Sequence, residues 1–136
     1  MNVSYDEVLL RRLRERGRLQ GVDLREGGSG RALPYPLPGP VAAFSMGKAQ
    51  GAFLLGQEAP ILREELLLRL AFPLKTPAGE CRRIAREVVE EVMEADEEKK
   101  ILTILMTTPE AALTQGVRRL DLTFGLRPMM TREVGA

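Results

Sequence analysis

The clearest pattern in the chain is an amphipathic stripe between residues 77 and 95. Apolar side chains recur there at every third or fourth position: Cys81, Ile84, Ala85, Val88 and Val92. This spacing places them on one side of an α-helix, which predicts a long helix that packs on a sheet. Thr76 is the predicted N-cap and Pro77 the first helical residue, because a proline there loses no hydrogen bond.

Three other stretches show the pattern of strands. Leu120, Leu122, Phe124 and Leu126 alternate strictly with polar residues or glycine, which predicts a strand with one buried face. Residues 66–72 (LLLRLAF) end at a proline and predict another strand. Residues 100–107 (KILTILMT) are apolar on both faces, which is typical of a central strand.

The remaining elements are shorter. Ser4 and Glu7 form a candidate capping box for a first helix, which Gly17 is expected to end. Residues 41–46 and 51–56 are apolar and flank a glycine-containing MGKAQG stretch that is expected to form a turn, which predicts a hairpin or two strands. Residues 57–65 are predicted to be a polar connector.

Residues 20–40 are rich in proline and glycine and predict a long loop or arm. Leu33, Tyr35 and Leu37 alternate between the prolines of LPYPLPGP, an arrangement that favours extended backbone and suits docking on another surface. A flexible linker fits the same composition. These three residues are interface candidates if the segment is a docking arm, and the alternative is that the segment is a flexible linker.

The order of these elements predicts one α+β domain over residues 1–136. We expect an antiparallel sheet of about four to five strands, with the N-terminal helix and the long helix packed on one face. The length of 136 residues and the 44% hydrophobic content are sufficient for one domain with its own core.

The amino-acid composition excludes several kinds of catalytic and metal-binding site. The chain has no histidine, which excludes histidine-dependent triads, histidine general bases and every histidine-containing metal site. The single cysteine, Cys81, lies on the predicted apolar stripe and is expected to be buried and inert. We predict no catalytic residue, no metal site and no cofactor.

Charge and hydropathy say little about partners. The net charge is +1, so no overall field favours nucleic acid or an anionic membrane, and we expect neither a membrane nor a specific nucleic acid as partner. The apolar runs are too short to span a bilayer, and the first twenty residues do not resemble a secretory signal. We expect a protein that is made and folded in the cytoplasm.

The outer face of the long helix has an unusual order of charges, because arginines come before glutamates. This order opposes the helix dipole. It fits either a solvated surface or a charged contact with another protein. The interface candidates on this face are Arg82, Arg83, Arg86, Glu87 and Glu90.

A family resemblance is carried by the element order and by five positions at the start of the long helix. These positions are Pro73, Gly79, Cys81, Ile84 and Val88. Together with the N-terminal helix, the arm and a closing hairpin predicted from the strands at residues 100–107 and 120–126, they resemble the tail-terminator or tail-completion proteins of tailed bacteriophages and related contractile particles.

The resemblance implies a virion structural protein, assembled in the host cytoplasm, that forms a ring, commonly a hexamer, at the end of the tail tube. Its partners would be tail tube proteins and the neck or connector proteins. Two alternatives belong to other classes. One is a host cytosolic adaptor or protein-binding module that binds by strand addition. The other is a small α+β enzyme with an interfacial pocket of arginines and carboxylates.

Overall fold

The computed structural model describes residues 3–27, 37–52, 61–108, 117–127 and 129–130, and shows two helices on one face of a sheet. The helices are α1 (Tyr5–Arg16) and α2 (Ala78–Ala95). The strands are β1 (Asp23–Glu26), β2 (Val41–Ala52), β3 (Ile61–Pro73), β4 (Ile101–Thr107), β5 (Val117–Leu126) and β6 (Met129–Met130). The predicted α+β class is confirmed.

The strand order is β1-β2-β3-β5-β4, and β6 pairs with the beginning of β3. The described pairings are antiparallel apart from β1, which runs parallel to β2 and begins where the Asp23 N–H donates to the Pro40 carbonyl at 2.9 Å. The sheet is therefore mixed, because residues 23–26 of the predicted arm form a strand. The part of the arm between residues 28 and 36 lies outside the described residues.

The core lies between the helices and one face of the sheet. Alternate residues of the central strands point into it, including Phe44 of β2, Phe72 of β3 and Phe124 of β5, each fully buried. The predicted apolar stripe of α2, including Cys81, is buried against this face. The alternation predicted for the last strand is confirmed for Leu122, Phe124 and Leu126.

The turn predicted within residues 46–51 is wrong, whereas residues 53–56 of the second predicted strand lie outside the described residues. β2 continues through the expected turn as far as Ala52, and its antiparallel partner is β3. Gly47 lies inside β2, and the Leu67 side chain of β3 occupies the space beside it. A Cβ at residue 47 would lie 3.0 Å from Leu67 Cδ1, which explains why a residue without a side chain stands at this position. The glycine thus marks a close approach across the sheet rather than a turn.

Three further predictions need correction. Residues 61–65 of the predicted connector belong to β3, paired with β2 and β5. The N-cap of α2 is Pro77 rather than Thr76, since helical backbone begins at Ala78. The segment predicted as a central strand, β4, lies at the edge of the sheet, and most of its side chains are exposed because the helices do not extend over it.

Candidate functional site

The most exposed apolar surface of the described residues follows β4. Leu102, Ile104, Leu105 and Met106 are 54%, 43%, 62% and 53% exposed. In the described part of the sheet β4 pairs with β5 on one side, and its other side is free. A free edge with exposed apolar side chains is typical of a surface that another chain covers. We refer to these four residues as the β4 edge.

The side chains of the β4 edge point to both faces of the sheet. Ile104 and Met106 lie opposite Phe124 and Leu122 of β5, whose side chains are in the core, so they extend the helix-bearing face. Leu105 lies opposite Thr123 and points to the other face. A partner at this edge would therefore meet apolar side chains on both faces.

The beginning of β4 is held by a buried carboxylate. Asp96 is 1% exposed, and it accepts hydrogen bonds from the backbone N–H groups of Lys100 and Ile101, both at 3.0 Å. The Tyr5 hydroxyl of α1 donates a third hydrogen bond to the same carboxylate. The ammonium of Lys100 lies 4.7 Å from the centre of the Tyr5 ring. These contacts fix the turn from α2 to β4 against α1.

Salt bridges join α1 to α2 next to this turn. Arg12 donates to Glu98 through two nitrogens at 2.7 and 2.8 Å, and to the Ala95 carbonyl at 2.9 Å. The hydrogen bond from Arg12 lowers the pKa of the Glu98 carboxyl to about 2. Arg16 contacts both Glu91 and Glu94 of α2. Part of the unusual order of charges on α2 is thus explained within the chain, because Arg16 of α1 pairs with two of its glutamates.

The five interface candidates on α2 remain exposed. Arg83 pairs with Glu87 at 2.8 Å and with Glu80 at 3.6 Å, both along the helix surface. Arg82, Arg86 and Glu90 lie on the same solvent-facing side. Their role as a contact stays a prediction.

Of the three candidates in the predicted arm, Leu37 lies within the described residues, whereas Leu33 and Tyr35 lie outside them. Leu37 is buried in a small cluster with Val41, Ala71 and Val117. Val41 and Ala71 belong to the sheet face opposite the helices, because their neighbours Ala42 and Leu70 point into the main core. The chain is therefore anchored on the open face of the sheet at residue 37.

The open face also carries a concavity of about 750 Å³. Four of the six charged side chains that line it form two pairs: Arg25 Nε lies 2.7 Å from Asp23 Oδ2, and Arg69 Nε lies 3.8 Å from Asp121 Oδ1. Arg119 donates to the same Asp121 carboxylate at 2.7 and 2.8 Å. The two other charged lining residues, Arg14 and Glu26, carry opposite charges, so the lining has no net charge that would favour a charged ligand.

Cys81 is buried at the start of α2, and burial raises the pKa of its thiol. A buried thiol with a raised pKa is a poor nucleophile, which agrees with the predicted structural role. Within the described ranges, acidic residues and cysteine form no group suited to a metal ion. Neither α1 nor α2 combines the length and apolar content needed to cross a membrane.

Sequence reasoning missed the β4 edge and the Asp96 contacts. A strand that is apolar on both faces has the same sequence pattern whether it is central or is an edge strand covered by a partner. The pattern alone therefore does not show that β4 lies at the edge of the sheet. Asp96 stands in an acidic stretch, ADEEKK, that resembles any solvated turn. Asp96 is buried beside Tyr5, which lies 91 positions earlier in the chain, so the local sequence around Asp96 does not indicate its burial.

No family model and no curated protein matches the chain. Among solved structures, it is similar to a chain in the virion of a native gene transfer agent (GTA) particle. The likeness covers 92% of this chain and 94% of that one, with a TM-score of 0.54 and 15% sequence identity. The two chains share a fold over nearly their whole lengths.

Proposed function

We propose that this protein is a structural component of a phage-like virion, of the tail-terminator or tail-completion type. In this role it forms a ring at the end of the tail tube, next to the neck, and needs no catalytic activity. The observation that carries the proposal is the likeness to a chain of a GTA virion, which extends over 92% of the sequence. The resemblance of residues 73–88 to tail-terminator proteins supports the more specific role.

The surfaces of the molecule suit such a role. A ring of identical subunits needs two different contact surfaces on each subunit, so that each copy binds the next in the same way. The two ends of the described sheet, β4 and β1, are different edges of this kind, and the charged outer face of α2 offers a further polar surface for a neighbour. The proposed partners are further copies of this chain, the tail tube protein and the neck or connector proteins.

The test is assembly in the presence of the neighbouring gene products. Native mass spectrometry and electron microscopy of the purified protein, alone and with the tube and neck proteins encoded beside it, should show a ring, commonly of six copies. The ring should bind the end of the tube. A protein that stays monomeric over a wide concentration range, and binds neither tube nor neck protein, would exclude this function.

A second candidate is a protein-binding module that accepts a peptide as an added strand. The free side of β4 favours it, since strand addition needs an exposed sheet edge. The genes around this one separate the two functions. Capsid, tube or sheath genes next to it favour the virion component, and their absence favours the binding module.

A further inference from the structure

We propose that the β4 edge is the contact between neighbouring copies of this chain, and that it pairs with β1 of the next copy. The inference rests on the proposed ring, and it names the strands that close that ring. Both strands lie at the ends of the described sheet, in the order β1-β2-β3-β5-β4. Pairing them would join the sheets of successive subunits into one.

The β4 edge continues onto α2. Glu91 and Glu94 of α2 contact Arg16 of α1, so that flank of the helix faces α1. Val89 and Met93 lie one turn apart on the opposite flank, which faces β4 because α1 lies over β1 and β2 at the other end of the sheet. Met93 is 37% exposed. Met93 therefore adds an exposed apolar side chain on the same face of the sheet as Ile104 and Met106.

β1 has the backbone groups that such an edge needs. The N–H groups of Asp23 and Gly27 point towards β2, where they donate to the carbonyls of Pro40 and Phe44. Because the N–H and C=O groups of a strand point to alternate sides, those of Leu24 and Glu26 point away from β2. Arg14 donates to the outward Leu24 carbonyl at 2.9 Å through an exposed side chain that can move aside.

The strand directions favour this pairing. β4 is antiparallel to β5, β5 to β3 and β3 to β2, and β1 is parallel to β2, so β4 and β1 run in opposite directions. A second copy in the same orientation therefore places β1 antiparallel to β4. All helices then stay on one face of the joined sheet, as a repeating arrangement requires.

Pairing of β4 with β4 of a second copy is the competing arrangement. It is isologous and has a twofold axis, so it yields a closed dimer instead of a ring with two different faces. A ring between a tube and a neck has two different faces, which requires a contact between two different edges. The proposed function therefore selects β1 as the partner of β4.

Charged side chains at the adjoining ends of the two strands have opposite sign. Lys99, Lys100 and Arg127 lie at the beginning of β4, and Glu26 lies at the end of β1, whose other two charged residues, Asp23 and Arg25, pair with each other. When a sheet closes on itself, each strand is shifted along its own direction relative to its neighbour. A stagger in one direction brings the acidic end of β1 towards the basic beginning of β4.

Cross-linking tests which edges meet. Leu105 and Arg25 both point to the open face of the sheet, so cysteines there are accessible on either side of the proposed contact. Two chains, L105C and R25C, each with C81A, are mixed and treated with a short bismaleimide. We expect covalent dimers in the mixture and none in either chain alone. Dimers of L105C alone would show that β4 pairs with itself and would overturn the inference, as would a mixture without cross-links.

A second measurement follows ring assembly directly. I104K places a charge on the β4 edge, and L74K makes the same kind of change at an apolar residue that is 49% exposed in the turn after β3. We expect I104K to raise the concentration needed for rings at least about tenfold, and L74K to leave it within about twofold. Circular dichroism confirms that both variants are folded.

The outcomes separate this inference from the proposed function. Rings of wild-type protein that persist in I104K would overturn the β4 contact and leave the tail role intact. Wild-type protein that forms no ring with its tube and neck partners would remove the proposed function itself.

Discussion

The hydroxyl of Tyr5, near the N terminus, donates a hydrogen bond to the buried carboxylate of Asp96, at the end of α2. The two residues are 91 positions apart in the sequence. This contact ties α1 to the turn that places β4 at the edge of the sheet, so the shape of the candidate interface depends on a residue of the first helix.

Removing either partner should destabilise the fold. Y5F takes one donor from a buried carboxylate and should lower the free energy of unfolding by about 1.5–3 kcal/mol. D96A also leaves the buried N–H of Ile101 without an acceptor and should cost more, roughly 2–5 kcal/mol. Urea unfolding at pH 7 measures both. T108A, which removes an exposed hydroxyl outside the helices and strands, is the control; equal effects of T108A and Y5F would contradict this account.

The stability should also fall in alkaline solution because of Tyr5. Burial, and then the hydrogen bond to Asp96, raises the pKa of Tyr5 above the usual value of 10.0. The unfolded chain therefore loses this proton at a lower pH than the folded chain, and stability decreases as pH rises above about 10. Urea unfolding between pH 9 and 11 should show a shallower decrease for Y5F than for the wild-type protein.

The salt bridge of Arg12 and Glu98 should stabilise the protein at neutral pH and lose its effect in acid. The folded chain holds the pKa of Glu98 at about 2 instead of 4.5, so the stabilisation is present above pH 4.5 and is lost as pH falls towards 2. Because the Glu98 side chain is 39% exposed, E98Q should cost only about 0.2–1 kcal/mol at pH 7. The difference between E98Q and wild type in urea unfolding should shrink at pH 2.5.

Gly125 of β5 should resist substitution because of Thr103. A Cβ at residue 125 would collide with the Thr103 hydroxyl oxygen across the pairing of β4 and β5. G125A should therefore destabilise the protein by about 1–3 kcal/mol. Adding T103A removes the colliding atom and should restore part of the loss. Additive effects of the two substitutions in urea unfolding would show that the collision is not the cause.

The exposed arginines of α2 should matter for assembly rather than for folding. Reversing Arg82 and Arg86 to glutamate should change stability by no more than about 0.5 kcal/mol each, since both are exposed, and reversing Arg83 by up to about 1 kcal/mol, since its exposed pairs with Glu80 and Glu87 are lost. If this face contacts a neighbour, the concentration needed for rings should rise. R11E on the exposed face of α1 is the matched control. A triple variant that assembles and binds tube proteins as wild type does would remove this contact.

Periodicity predicted the parts of the fold that are amphipathic. The stripe from Cys81 to Val92 and the alternation from Leu120 to Leu126 each follow one clear period, and both elements form as predicted. Prediction failed where a local signal had two physical causes. Gly47 reads as a turn residue, but it leaves space for Leu67, a residue of another strand.

The position of β4 at the edge of the sheet could not be predicted from local sequence patterns, because it is set by residues far away in the chain. That β4 lies at the edge depends on β5, a later segment, which occupies the place between β3 and β4. The exposed positions of Arg82, Arg83 and Arg86 followed directly from helical spacing. The pairing of Glu91 and Glu94 did not, because their partner, Arg16 of α1, comes 75 and 78 residues earlier.

The strand order has a consequence for the order of folding on the ribosome. β4 is synthesised before β5, yet it joins the described sheet through β5 alone. A nascent chain that has emerged only as far as Thr107 therefore presents four large apolar side chains on a strand whose neighbour does not yet exist. Segments of this kind associate between chains at high concentration. Slow synthesis between residues 107 and 126 should increase aggregation, and cellular chaperones should bind the chain during this interval.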